Sequence, residues 1–155
     1  MGRAFYEPAP DVAATAAGLI AEHHPDLTDV PIVYVFRTPA SKAHARLVLG
    51  RALRVTGLRA FLVSLAAGDV AVDDDESRDH TFYVMEIARP EWDGATPEAR
   101  AALVDHELCH FRIDDETGEL KIRAHDLEEF NAVVARHGPW KEDVAMFLDA
   151  CATHP

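Results

Sequence analysis

The segment VDHELCHF contains three residues that could together bind a metal ion and move a proton: His106, Glu107 and His110. On a helix, two histidines four residues apart lie on one face, about one turn from each other. Their imidazoles can then bind one tetrahedral Zn²⁺ at about 2.0–2.1 Å. Glu107 follows the first histidine, so its carboxylate can take a proton from a water molecule that the metal activates. The segment predicts a zinc site with His106 and His110 as ligands and Glu107 as general base.

This pattern is rare by chance in a chain of this composition. With 9 histidines among 155 residues, random placement gives roughly 0.04 matches to the spacing. A plain surface helix would also explain two histidines, but the apolar neighbours Leu103, Val104 and Leu108 indicate a helix packed against a core. Cys109 is expected to be a small buried apolar residue and not a ligand.

A catalytic zinc site needs a third protein ligand and one open position. His125 is the first candidate, because it opens the segment HDLEEF, 15 residues after His110. Glu128 and Glu129 are rivals, since two histidines with one glutamate are also a standard ligand set. Either glutamate could instead lie in solvent or hold a ligand imidazole in its tautomer. The metal itself is expected to be Zn²⁺, although imidazole also suits Co, Ni, Fe and Cu.

The sequence patterns around these residues predict both helices and strands, and therefore an α+β fold. Thr96, Pro97 and Glu98 provide an N-cap, a proline at the first helical position and an acid in the first turn, so a helix should run from Pro97 to about Phe111. A loop or tight hairpin containing Gly118 should follow it and bring His125 to the start of the next helix. The remaining patterns predict helices over residues 11–24, 126–137 and 140–151, and strands over residues 31–38, 45–55 and 81–90.

Several of these assignments carry more detail. Asp11 is the expected N-cap of the first helix, and Val144, Phe147 and Leu148 should face inward on the last one. The strand over residues 45–55 competes with a helix through residues 42–56, and a turn and a short apolar segment should follow it. An acidic stretch over residues 66–80 predicts a solvated loop, because the ligand spacing of a calcium loop is missing.

Composition limits the function classes. The chain has 15 Lys+Arg against 27 Asp+Glu, a formal charge of -12, which argues against binding nucleic acid or anionic lipid. We expect no membrane span and no secretory signal. Two cysteines, Cys109 and Cys151, cannot form a disulfide framework, so a cytoplasmic location is expected. An N-terminal arm over residues 1–10 and one domain over residues 11–155 are the predicted organisation.

The run TPEARAALVDHELCHF, followed by GELKIRAHDLEEFNAVVARHG, closely resembles the phage metallopeptidase family. The shared parts are a VLG segment at residues 48–50, the DHELCH helix and the KIRAHDLEEF segment, within a likeness that covers residues 32–137. More distantly, the layout is similar to SprT-like small zincins, whose second-motif histidine is the third zinc ligand.

The resemblance implies a compact zincin-like fold, with a small mixed sheet packed against an N-terminal helix, the HExxH helix and C-terminal helices. It implies a zinc-dependent metallopeptidase acting on a protein or peptide, with His106, His110 and His125 as ligands and Glu107 as base. The alternative is a non-catalytic interaction or regulatory module held together by its metal. Closed structural sites are typically rich in cysteine, which this segment is not.

Two expectations concern the substrate. The strand over residues 82–88 could offer an edge to which an extended peptide adds as another strand. Candidates for stabilising the negative oxygen of the reaction are Tyr83, Arg123 and His137.

Overall fold

The structure, a computed structural model, describes residues 3–67 and 81–154. The chain divides into two compact units, Met1–Arg123 and Ala124–Pro155. The prediction of one domain over residues 11–155 after an arm over residues 1–10 stays a prediction. The acidic loop was predicted over residues 66–80, and its residues 68–80 lie outside the described residues.

Helices and strands are mixed along the first unit, which confirms the α+β class. Its strands are β1 (Phe5–Pro8), β2 (Ile32–Thr38), β3 (Ser41–Ala43), β4 (Arg46–Val48), β5 (Gly50–Val55), β6 (Phe82–Ala88), β7 (Phe111–Ile113) and β8 (Leu120–Ile122). Its helices are α1 (Pro10–His23), α2 (Gly57–Ala67), α3 (Arg89–Gly94) and α4 (Pro97–Cys109), with one 3₁₀ turn at Pro25–Leu27. In the described residues, none of the helices combines the length and the apolar character needed to cross a bilayer.

The main sheet is mixed, with the strand order β1-β2-β6-β5. Strand β6 is parallel to β2 and antiparallel to β5, so that Val84 pairs with Val33 on one side and with Leu53 on the other. The prediction that β6 offers an edge to a peptide is therefore wrong. Its sequence FYVMEIA is apolar at all but one position, which is typical of an interior strand covered on both faces.

The core of the first unit lies between this sheet and the helices α1 and α4. Val12 and Ala16 of α1 are buried, as the spacing of its apolar residues predicts, and Val104 and Leu108 of α4 are buried beside them. The cluster also includes residues of the sheet and its connections: Leu27, Phe36, Tyr83, Met85, Ile87, Trp92 and Phe111. Burial of this side fixes which face of α4 points away from the core.

For the region after residue 41, the sequence allowed either a strand over residues 45–55 or a helix through residues 42–56. The structure has strands there: the predicted strand is present as two shorter strands, β4 and β5. The apolar segment after the predicted turn is the helix α2, which begins at Gly57 with a positive φ of 59°. Glycine tolerates that conformation because it has no Cβ.

Prolines in a first helical turn explain two differences between the predicted and the observed helices of this unit. The N-cap of α1 is Ala9 and not Asp11, because Pro10 takes a first-turn position that suits its fixed φ and missing N–H. Pro90 was predicted as the last residue of a strand. It lies instead in the first turn of the short helix α3, which was not predicted from the sequence.

The second unit contains α5 (Asn131–His137) and α6 (Glu142–Thr153). The predicted start of α5 at Asp126 is wrong by five residues, so His125 does not lie at the start of a helix. The Glu129 side chain accepts a hydrogen bond from the Phe130 N–H at 2.8 Å. Such side-chain bonds to the backbone compete with the helical ladder, which begins only after them.

Helix α6 confirms the last predicted helix, with boundaries shifted by two residues. Its Val144 is buried, as predicted. Phe147 and Leu148 are 53% and 41% exposed, so the expectation that both face inward is wrong. Gly138 is the C-cap of α5 and has a φ of 66°.

Candidate metal and catalytic site

Helix α4 begins as its sequence predicts. The Thr96 hydroxyl accepts a hydrogen bond from the Ala99 N–H at 3.2 Å, and Pro97 occupies the first turn. The helix ends at Cys109, two residues before the predicted end, because Phe111 already belongs to strand β7. The four residues from His106 to Cys109 therefore form its last turn.

The imidazoles of His106 and His110 lie side by side. Their ring centroids are 5.2 Å apart in an edge-to-face arrangement, and a nitrogen of one ring lies within 4.8 Å of a nitrogen of the other. Two nitrogens bound to one tetrahedral zinc are roughly 3.3 Å apart, given the usual Zn–N distance. Modest side-chain rotations would therefore let both rings bind one ion, and this pair fits the metal that the sequence predicts.

A backbone contact sets the tautomer of His110. Its Nδ1–H donates a hydrogen bond to the carbonyl oxygen of Arg123 at 2.7 Å. The Arg123 N–H in turn donates to the His110 carbonyl oxygen, also at 2.7 Å. Because Nδ1 carries the proton, Nε2 is the nitrogen that can coordinate a metal.

Arg123 is placed by the hairpin β7–β8, which confirms the predicted hairpin. Its turn contains Gly118, with a φ of 71°. The buried Tyr83 hydroxyl is the donor to the hairpin, 2.6 Å from the carbonyl oxygen of Arg112 and 2.7 Å from that of Lys121. The ring of Phe111 stacks on that of Tyr83 at 4.1 Å.

These contacts give Tyr83 a structural role, because its hydroxyl holds the hairpin β7–β8. Burial raises the pKa of its hydroxyl, and its proton is directed at the carbonyls of the hairpin. The expectation that Tyr83 could stabilise a negative oxygen is therefore wrong. Arg123 and His137 stay candidates for that role.

Unlike the preceding residue His106, Glu107 is buried. Only 4% of the residue is exposed, and this burial raises its pKa to about 7, against the opposing effect of nearby His110. Its carboxylate lies against Gly50 of strand β5, where an added Cβ would be 2.4 Å from Oε1. Gly50 thus provides the space that the carboxylate fills.

The spacing of residues in the sequence did not predict that Gly50 leaves space for the Glu107 carboxylate. It lies 57 positions from Glu107 in the sequence, and only the VLG segment of the family resemblance contained a signal for it. Cys109 also differs from expectation. It is exposed and not buried, because it lies on the solvent side of the last turn of α4.

The candidate third ligands belong to the second unit. His125 and Glu128 are exposed. Glu129 is engaged within that unit, where its Oε2 accepts a hydrogen bond from the Trp140 indole N–H at 3.1 Å. His125 follows Arg123 by two residues, and two trans peptide units keep their Cα atoms within about 7.6 Å of each other.

Comparisons with known proteins give one positive result. The model of the family described as "Putative phage metallopeptidase" matches residues 4–151. No curated protein and no solved structure matches the chain significantly. The matched range includes both units and every candidate residue described above.

Proposed function

Because the chain belongs to the phage metallopeptidase family, we propose that it is a zinc-dependent peptidase of the HExxH type. It would hydrolyse peptide bonds in a protein or peptide substrate. The observation that carries this proposal is the buried carboxylate of Glu107, which in the sequence stands between two histidines whose ring centroids are 5.2 Å apart. That combination supplies two metal ligands and a proton acceptor from one helix.

We assign the metal to His106, His110 and His125. Three neutral imidazoles are a known zinc ligand set that leaves one position open for a water molecule or the substrate. The contact between His110 and Arg123 supports His125, because His125 follows Arg123 so closely in the chain. Glu129 is a weaker candidate, since both its oxygens accept hydrogen bonds within the second unit.

Glu107 is the proposed general base. A zinc ion held by the three histidines would polarise the scissile carbonyl and lower the pKa of a water molecule. Glu107 would take the proton of that water during its attack and deliver it to the leaving amine. Because Glu107 is not itself a proposed ligand, its carboxylate can accept a proton and release it again within one cycle.

The test compares Glu107→Gln with the wild type on casein and on a peptide library. We expect hydrolysis to fall by about 10²–10⁴-fold, because the glutamine keeps the shape of the side chain but cannot accept the proton. Zinc content, measured by mass spectrometry of the metal, should stay unchanged. Glu98→Gln is the matched control, since Glu98 is an exposed residue of the same helix.

Each other outcome counts against part of the proposal. Full activity in Glu107→Gln would exclude this residue as the base. A zinc-loaded wild type without hydrolysis of any substrate would favour the non-catalytic, metal-stabilised module. For the ligands, His125→Ala should release zinc more readily than Glu128→Gln, and the reverse order would replace His125 by Glu128.

A further inference from the structure

A second group of metal-binding side chains lies beside the proposed catalytic ligands. His24 follows the last residue of α1, and its Nε2 lies 2.6 Å from Oδ1 of Asp105 on α4. Cys109 lies one helical turn after Asp105. One potential ligand atom from each of these three residues lies within 4.8 Å of the others.

This group occupies its own face of α4. Asp105 and Cys109 have the same four-residue spacing as His106 and His110, but each precedes its counterpart by one residue. One residue corresponds to a rotation of about 100° around an α-helix. The DHELCH segment therefore presents two donor pairs on neighbouring faces, and His24 adds a third donor to the first of them.

We propose that His24, Asp105 and Cys109 form a second zinc site. Imidazole, carboxylate and thiolate are all established zinc ligands, and the thiolate favours Zn²⁺ over the oxygen-seeking Mg²⁺ and Ca²⁺. The charges of one carboxylate and one thiolate balance a divalent cation. Binding would require Cys109 to release its thiol proton to solvent. It would also require the proton on His24 Nε2, which faces Asp105, to leave this nitrogen for Nδ1 or solvent, so that Nε2 can bind the ion.

The geometry needs little adjustment. Ligand atoms around a tetrahedral zinc lie about 3.3–3.6 Å apart, from Zn–N and Zn–O distances near 2.1 Å and a Zn–S distance near 2.3 Å. The pair His24–Asp105 would open by roughly 0.7 Å to admit the ion. The His24 side chain is 15% exposed and that of Asp105 is 43% exposed, so the imidazole is held while the carboxylate can move.

The position of Cys109 leaves the outer side of the site open. Because Cys109 is exposed, a water molecule can complete four-coordination from solvent. A bound ion would join the C-terminal end of α1 to α4, the helix that carries Glu107. The site does not depend on the proposed peptidase activity.

The test uses the full chain, stripped of metal and titrated with Co²⁺, which replaces zinc and reports its ligands by absorbance. We expect about two equivalents of Co²⁺ per chain and a thiolate-to-cobalt charge-transfer band in the near ultraviolet. Cys109→Ser should remove the band and one equivalent, whereas Cys151→Ser, a change at the other exposed cysteine, should preserve both.

Asp105→Asn is the decisive variant for the remaining ligands. Asparagine keeps the size of the side chain and can still accept the hydrogen bond of His24, so the fold should be retained, which circular dichroism checks. We expect the band to weaken strongly in Asp105→Asn and in His24→Ala. It should persist in His23→Ala, the matched control, because His23 pairs with Glu22 elsewhere on the helix end.

The double variant His106→Ala/His110→Ala separates this proposal from the peptidase proposal. It should lose hydrolysis and about one equivalent of cobalt while keeping the thiolate band. A band that disappears in this variant but persists in Asp105→Asn would mean that Cys109 serves the other site, and would overturn the proposal. Absence of the band from the wild type, with excess Co²⁺ present, would overturn it as well.

Discussion

Replacing Gly50 with alanine perturbs Glu107 without substituting any residue of the HExxH segment. The contact joins strand β5 to helix α4, and glycine is the residue that leaves space for the carboxylate at this point. The added methyl group introduces no charge and no polar atom. Any loss of activity would therefore report the position of Glu107.

The size of the effect follows from the distances. An added Cβ would lie 2.4 Å from Oε1, 2.8 Å from Cδ and 2.9 Å from Cγ of Glu107, whereas such atoms normally approach to about 3.5 Å. The carboxylate must then move by roughly 1 Å, a displacement that can cost about 10²-fold in rate. If the backbone of β5 moved instead, overpacking would lower the unfolding free energy by about 1–3 kcal/mol.

We expect the side chain to move, because its far end is flexible and the paired strand is not. The assay measures kcat/KM on a peptide substrate, zinc content and the unfolding temperature for wild type and Gly50→Ala. We predict a fall of about 10²-fold in kcat/KM with zinc retained, and a change of only a few degrees in unfolding temperature.

Gly18→Ala provides the control, because a Cβ at Gly18 would meet no atom within 4 Å. It should retain full activity and gain about 0.5–1 kcal/mol of unfolding free energy, since glycine is unfavourable inside a helix. A Gly50→Ala protein with wild-type kcat/KM and wild-type unfolding temperature would refute the reasoning, because neither the carboxylate nor the strand would then have moved.

Three further variants test the elements that hold the site. Tyr83→Phe removes the donor to two hairpin carbonyls and should lower the unfolding free energy by about 1–3 kcal/mol, which thermal unfolding would detect; no change would contradict this. Thr96→Ala should cost about 1 kcal/mol in urea unfolding while Thr96→Ser costs less; equal losses would contradict the capping role. The hydrogen bond from Lys121 holds the pKa of Asp114 well below its usual range. The charged carboxylate therefore stabilises the fold above pH 3.8 and loses this effect at lower pH. Asp114→Asn should thus be less stable than wild type at pH 7, with a difference that narrows in denaturation below about pH 4; a constant difference would contradict this.

Local signals predicted helix α4 well. The N-cap at Thr96 and the proline after it determine where α4 begins, and the spacing of His106 and His110 determines that they share a face. Both features depend on residues within one or two turns of each other. Short runs of β-branched and aromatic residues likewise identified β2 and β6 within one to two residues of their ends.

Contacts between distant segments could not be predicted in this way. The interior position of β6 depends on which strands pair with it, and the sequence of residues 82–88 does not indicate that β5 pairs with them. The late start of α5 depends on hydrogen bonds of the Glu129 side chain, which helix propensity does not include. The approach of Gly50 to Glu107 depends on both the sheet order and the packing of α4.

The HExxH segment alone is therefore not sufficient for the geometry of the site. The contact of His110 with Arg123 requires the hairpin β7–β8, and the Tyr83 hydroxyl holds that hairpin in turn. The buried position of Glu107, the proposed general base, requires the absence of a side chain at residue 50. It follows that a variant can keep His106, Glu107 and His110 and still be inactive. Loss of activity in such a variant would indicate displaced catalytic groups and not a missing ligand, and zinc content distinguishes the two causes.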